Sequence, residues 1–423
     1  MLRRTGLTVL AATVLVDMVG FGIVLPLLPF YAEDFGASPF EVTLIIASFS
    51  AMQLIAAPIW GRFSDRLGRR WLLIGGLFAS AVSYLLFAVA HSLALLLLSR
   101  IAAGAAGGNI SVAQAYVADS TEGDERAHGM GLIGAASGLG IMIGPAIGGF
   151  FSQWGLGAPG YVAALLCALN AVAAIVLLPE SRHFRERDRS AAPSGEAATF
   201  VGWLKALGRF PLRVLLSVYF LTISSFTAMT AVLALYLERV FAVGASEMGL
   251  VFTAAGAVTV VVRGVLVGRI VKRIGEAATV RIGSVVLAVG LAAIVILPNK
   301  WWLAAVIPLW ALGTGILFPS LASLVSRATD SDSQGSILGG SQLAGGLGRV
   351  LGPVWAGILF QTVSIGSPFL LGAVLSVLAF AMALRIPGPA DRRIDPEEAW
   401  AGRMAATEPV DKPEEAAEVS PAT

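Results

Sequence analysis

The sequence predicts an all-α membrane protein with twelve transmembrane helices in two pseudo-symmetric six-helix halves. Three observations lead there. Of 423 residues, 57% are apolar and only 13% charged, and the mean hydropathy is +0.81, whereas soluble domains carry about 25% charged residues. Apolar runs of the roughly 20 residues needed to cross a bilayer recur along the chain. Two separate motifs from the first half return in the second at almost the same offset.

In chain order the runs fall at about 7–30, 41–60, 71–90, 93–117, 129–151, 159–179, 212–237, 246–267, 282–298, 301–326, 334–362 and 366–386. Backbone groups in hydrocarbon must bond within their own segment, and these runs lack the ten-residue alternation of a barrel strand, so each is read as a helix. The first follows Arg3 and Arg4 and imitates a signal peptide, yet it is too long, contains Asp17 and has no small-residue cleavage site. It is read as a retained helix. The longest hydrophilic interruption divides the runs six and six, giving a first half over 1–179, a cytoplasmic linker over 180–211 and a second half over 212–386. The tail over 387–423 is rich in Pro, Glu and Ala and is expected to be disordered.

The repeat is visible in GRFSDRLG at 61–68 against GRIVKRIG at 268–275, offset 207, and in GIMIGPAIGG at 140–149 against GRVLGPVWAG at 348–357, offset 208. Alternate loops differ sharply in basic residues. Those on one side hold 24 Lys and Arg; the other side holds Arg239 and Lys300, and Arg100, Arg263 and Arg349 lie inside runs. By the positive-inside rule both termini are cytoplasmic, in a cell (inner) membrane.

The same composition excludes several functions. Cys167 is alone and cannot form an internal disulfide, and His91, His128 and His183 are scattered, so neither zinc nor redox chemistry is expected. No phosphate-cradling GxxxxGK[ST] run is present to couple ATP hydrolysis to movement. A net charge of +2 gives no nucleic-acid footprint. A duplicated six-helix unit is instead the arrangement of secondary transporters, with the path between repeats that rock.

Asp17 is the most informative residue. Ten residues into its run it lies about 15 Å deep, near the bilayer centre, where a carboxyl costs roughly 2.5–3.5 kcal/mol and desolvation favours its protonated form. Such a group suits a proton carrier; the plainer alternative is a protonated carboxyl bonded to a backbone carbonyl. Arg100 enters the fourth run from the opposite side at a comparable depth, where the alternative is an arginine snorkelling to headgroups.

Four stretches, DMVGFGIVLPLLP (17–29), GRFSDRLGRR (61–70), RIAAGAAGGN (100–109) and GLGIMIGPAIGG (138–149), make residues 7–386 resemble the major facilitator superfamily. Within it the chain resembles the twelve-helix drug:proton antiporters of the tetracycline and multidrug efflux type. The resemblance implies the major facilitator fold and proton coupling through Asp17, biased by Arg100. It implies a cytoplasmic gate from Gly61, Asp65, Arg66, Gly68 and Arg69, with Asp65 facing the start of the eleventh helix near Ser333 and Gln334, and Asp119 paired with Arg69. Pro308 stands at the position equivalent to Arg100 and Lys272 at that of Asp65, so the second half is expected to lack both devices. Gly140, Gly144, Pro145, Gly148 and Gly149 match the pattern that the family associates with export, although close helix packing explains them equally well. Gln53, Asn109, Gln114, Thr222, Thr227 and Gln342 are candidate cavity residues, each equally readable as an interhelical hydrogen bond.

The expected function is proton-coupled export of small amphipathic drugs by alternating access. The alternative is a proton symporter or facilitator for a small metabolite such as a sugar or organic acid. No enzymatic chemistry and no cofactor are expected, only the proton gradient. The partners are a small-molecule substrate, protons and the lipid bilayer, without nucleic acid, and the family implies a monomer.

Overall fold

A computed structural model describes residues 2–121, 123–180, 212–328 and 334–386, with side chains at all of these except 2–5, 65–66, 123–124, 127 and 334–339. The expected linker beyond residue 180 and the tail over 387–423 lie outside the described residues. Every described regular element is helical. Ten stretches are long and apolar enough to cross a membrane, and Ser367–Ala383 is a shorter apolar helix. One of the ten, Ala245–Val295, has 51 residues, and at 1.5 Å per residue that is over twice a bilayer core. Gly275 breaks it with φ 80° and ψ 163°, so it makes two crossings, which is consistent with the twelve runs.

The first span is α1 (Leu2–Val24) and α2 (Leu28–Asp34), separated around Pro26 and Pro29, whose rings cannot donate to the helical ladder. The second is α3 (Pro39–Leu67). A capping box starts it: Ser38 Oγ accepts from the Glu41 N–H at 3.3 Å, and Glu41 accepts from the Ser38 N–H at 2.7 Å. Gly68, at φ 92°, turns the chain into α4 (Arg69–Ala88), a conformation a side chain resists. The equivalent turn in the second half is Gly275, so the repeated motif is also a repeated backbone geometry.

The fourth run was expected as one helix and is two, α5 (Leu93–Ala106) and α6 (Asn109–Ser120). Gly107 and Gly108 weaken the ladder there, and side chains from α3 bond the freed carbonyls: Gln53 donates to Gly107 O at 3.0 Å, and the Trp60 indole to Ala105 O. Next come α7 (Gly123–Phe151) and α8 (Ala158–Leu177), then, in the second half, α9 (Leu212–Phe241) and α10 (Ala245–Val261). A π-helical turn over Val262–Leu266 leads into α11 (Val267–Val295), followed by α12 (Leu303–Arg327), α13 (Gln334–Thr362) and α14 (Ser367–Ala383). Residues 268–281, expected as a loop, are helical apart from Gly275. Their charged residues lie on helix ends that continue past the apolar runs.

Large apolar side chains point outward as well as inward. Val176 is 75% exposed and Val363 67%, while Phe87 and Phe369 are fully enclosed; an apolar exterior of this kind is suited to lipid rather than water. The halves meet along α3 with α13 and along α7 with α10. At the arginine-poor end they touch closely. A Cβ on Gly149 would stand 3.1 Å from Gly249 Cα, one on Gly357 would overlap Thr43, and Arg239 pairs with Glu33 at 2.9 Å. Along α7 and α10 the approach loosens toward the other end, where Gly138 meets Val260 at 3.8 Å and Gly134 and Gly264 meet nothing within 4 Å.

Candidate functional site

Asp17 sits on α1, only 6% exposed. The helix break at Gly107–Gly108 makes Asn109 the first residue of α6 and sets it against α4, near the Asp17 carboxyl. Gly76 of α4 leaves room for this, since a Cβ there would fall 2.0 Å from Asn109 Oδ1. Asn109, read in the sequence as a cavity candidate, is thus a polar neighbour of the carboxyl.

One helical turn beyond Asp17, a Cβ on Gly20 would stand 3.1 Å from both Cys167 Sγ of α8 and Tyr84 Cε2 of α4. These two residues, missed in the sequence, complete the wall around the acid. Arg100 is also buried, 5% exposed, with its guanidinium 5.0 Å from the Phe87 ring centre and 6.0 Å from that of Tyr84. Its Nε donates to Ser99 Oγ at 3.3 Å, and one terminal nitrogen is buried with no hydrogen-bond partner. No ion pair joins Asp17 to Arg100 among the described residues; Tyr84 lies in electrostatic range of both. An aromatic residue of a third helix therefore stands beside both groups. Only residue type distinguishes Tyr84 and Phe87 from their apolar neighbours in the third run.

At the arginine-rich end, Arg69 Nε donates to Asp119 Oδ2 at 2.9 Å, and Arg69 also donates to Ser64, whose hydroxyl donates in turn to Gly61 O at 2.8 Å. Gly61, Ser64 and Arg69 line a small pocket with Trp60, Gly108 and Ser111. The side chains of Asp65 and Arg66, and residue Ser333, lie outside what the structure describes. In the second half, Arg327 pairs with Glu276 at 2.9 Å. Glu276 lies 207 residues after Arg69 and Arg327 lies 208 after Asp119, so the repeat keeps this ion pair with its charges exchanged. The sequence contained this signal in the repeat offset.

The glycines at 140, 144 and 148 face α1. Cβ atoms there would fall 2.7 Å from Leu15 O, 2.6 Å from Val19 O and 2.3 Å from Ile23 O, while Gly149 faces α10. The helix passes Pro145 without a break. Of the remaining cavity candidates, Thr222 is fully buried and donates back to Val218 O at 2.7 Å, and Thr227 donates to Gly348 O of α13 at 3.1 Å. Both serve packing in this structure, and Gln53 seals the α5–α6 break. Gln114 and Gln342 are exposed.

The chain matches the Major Facilitator Superfamily over residues 10–353 and 215–417. It is 30% identical to the class C tetracycline resistance protein of Escherichia coli over 381 residues, 89% of this chain and 95% of that protein. It is 26% identical to multidrug resistance protein 2 of Bacillus subtilis (strain 168) over 383 residues, 90% and 95% of the two chains. The crystal structure of the human organic anion transporter TETRAN superposes with a TM-score of 0.69 at 26% identity, covering 90% of this chain and 99% of that one. With its helical, membrane-spanning architecture, the chain is a transporter and not an enzyme, and it belongs to the Major Facilitator Superfamily.

Proposed function

We propose that the protein is a proton-coupled antiporter that exports small amphipathic drugs from the cytoplasm. The carrying observation is Asp17, a carboxyl buried within the first membrane span, with Asn109, Tyr84 and Cys167 around it. Intramembrane carboxyls mark ion pathways. In this reading the proton sits on Asp17 in one state and leaves in the other, and substrate binds the two states with different affinity, which is what couples the flows. Arg100, acting through Tyr84, biases the exchange, and no cofactor is needed. The Arg69–Asp119 pair belongs to the cytoplasmic gate, and the arginine-poor seam closes the outer side. Both termini lie in the cytoplasm of a cell whose inner membrane holds the protein as a monomer.

Export is supported by relatives whose names concern tetracycline and multidrug resistance, and an amphipathic substrate by these and by the organic anion transporter. The test is proton flux in vesicles holding the purified protein, challenged with tetracyclines, cationic dyes and fluoroquinolones. Substrate-dependent flux that Asp17→Asn abolishes is expected. Coupled transport at the normal rate in that variant would sink the assignment.

A further inference from the structure

We propose that the π-helical turn at Arg263 is the anion-recognising part of the substrate site, and that the compounds carried are therefore planar aromatic anions or zwitterions. The inference rests on the transport reading above and names the substrate class of that site.

Arg263 lies in the π-helical turn Val262–Leu266, near the arginine-rich end of the first of the two crossings that Gly275 separates. A cation at such a position needs a counter-charge, a hydrogen-bonding partner or water. Among the described residues it has no ion pair and no hydrogen bond, unlike Arg69, Arg239 and Arg327. Its surface is exposed, at the end where α7 and α10 draw apart. Tyr219 of α9 stands within electrostatic range of it.

Tyr219 begins a row of aromatic rings. Tyr219 meets Phe318 edge-on at 6.2 Å, Phe318 meets Phe226 at 5.9 Å, and Phe226 meets Trp310 at 6.2 Å. Three of these four rings are only partly buried, so their faces border open space. The π turn explains the placement: one wider turn re-aims the side chains that follow, and such turns concentrate at functional sites. It is held from behind, where a Cβ on Gly315 of α12 would stand 2.7 Å from Val262 Cγ1. A guanidinium presents a planar fork of donors that fits a carboxylate or enolate with two parallel hydrogen bonds. Ring faces beside it accept a flat apolar body. The ligand this combination selects is a flat aromatic molecule with a negative group at one edge.

The test is equilibrium binding to the purified full-length protein in detergent, which requires no gradient. The probes are anthracene-9-carboxylate and its neutral isostere anthracene-9-carboxamide. Wild type is expected to favour the carboxylate by at least about tenfold, the ratio that one charge-assisted hydrogen bond supplies. Arg263→Gln should remove that preference while leaving amide binding unchanged, and Arg263→Lys should restore part of it. Melting curves and gel filtration of each variant exclude misfolding as the cause. Loss of amide binding in Arg263→Gln, an unchanged carboxylate preference in it, or a wild type that prefers the amide or binds neither probe would overturn the proposal. Selective binding without proton flux in vesicles would instead count against proton-coupled export and leave this site standing.

Discussion

At position 17 a carboxyl is enclosed by three helices besides its own: Asn109 comes from α6, Tyr84 from α4 and Cys167 from α8. The sequence identified the acid, because a carboxyl in an apolar run is conspicuous, but not the wall around it, because Tyr84 and Cys167 are ordinary members of apolar runs. Asn109→Leu keeps the branched shape and leaves the buried carboxyl without this polar neighbour. It should destabilise the protein by about 1–3 kcal/mol, read as a lower melting temperature in detergent. Combined with Asp17→Asn, the same change should cost less, because no ionisable group is then stranded; equal costs in both backgrounds would show that Asn109 acts elsewhere. Gly76→Ala should mimic Asn109→Leu, since the new methyl would occupy the amide's place.

The seam between α7 and α1 depends on absent side chains. Gly144→Ala would place a methyl 2.6 Å from Val19 O and 2.7 Å from Gly22 Cα, both backbone atoms that cannot turn aside. Overpacking of this kind costs about 1–3 kcal/mol. Gly134→Ala in the same helix meets nothing within 4 Å and should leave the melting temperature unchanged or raise it slightly, because alanine favours helix. A similar loss at both positions would mean that the contact with α1 does not govern the effect. The exchanged ion pair offers a second test. Glu276→Arg or Arg327→Glu alone should cost up to about 1 kcal/mol, as expected for a pair whose arginine is 58% exposed. The double exchange should recover most of that loss.

Over the whole molecule, the halves are joined at the arginine-poor end and parted at the other, so the structure has the form expected of a cavity open toward the basic side. The Glu33–Arg239 pair, the Phe40 N–H donating to Gln361 at 3.2 Å, and the Gly149–Gly249 approach all span the closed end. If transport works by rocking the halves, this end must separate once per cycle. Cysteines at positions 33 and 239, joined by a short reducible bifunctional reagent, should stop transport in vesicles, and reduction should restore it. Cys167 is buried and should not compete for the reagent. Unimpeded transport in the cross-linked protein would show that this seam need not open.

The apolar helical spans, the duplicated halves, the uneven distribution of basic residues and the intramembrane acid were all legible in the sequence. They follow from local requirements: apolar length sets a span, and an ionisable residue within one stands out from its neighbours. The α5–α6 break at Gly107–Gly108, the placement of Asn109 near Asp17, the position of Tyr84 beside Asp17 and Arg100 and the π turn at Arg263 were decided only by the tertiary structure. Each depends on which faces of separate helices meet. In an apolar medium that choice rests on close contacts between small residues and on a few polar groups finding partners, and hydropathy along the chain records neither.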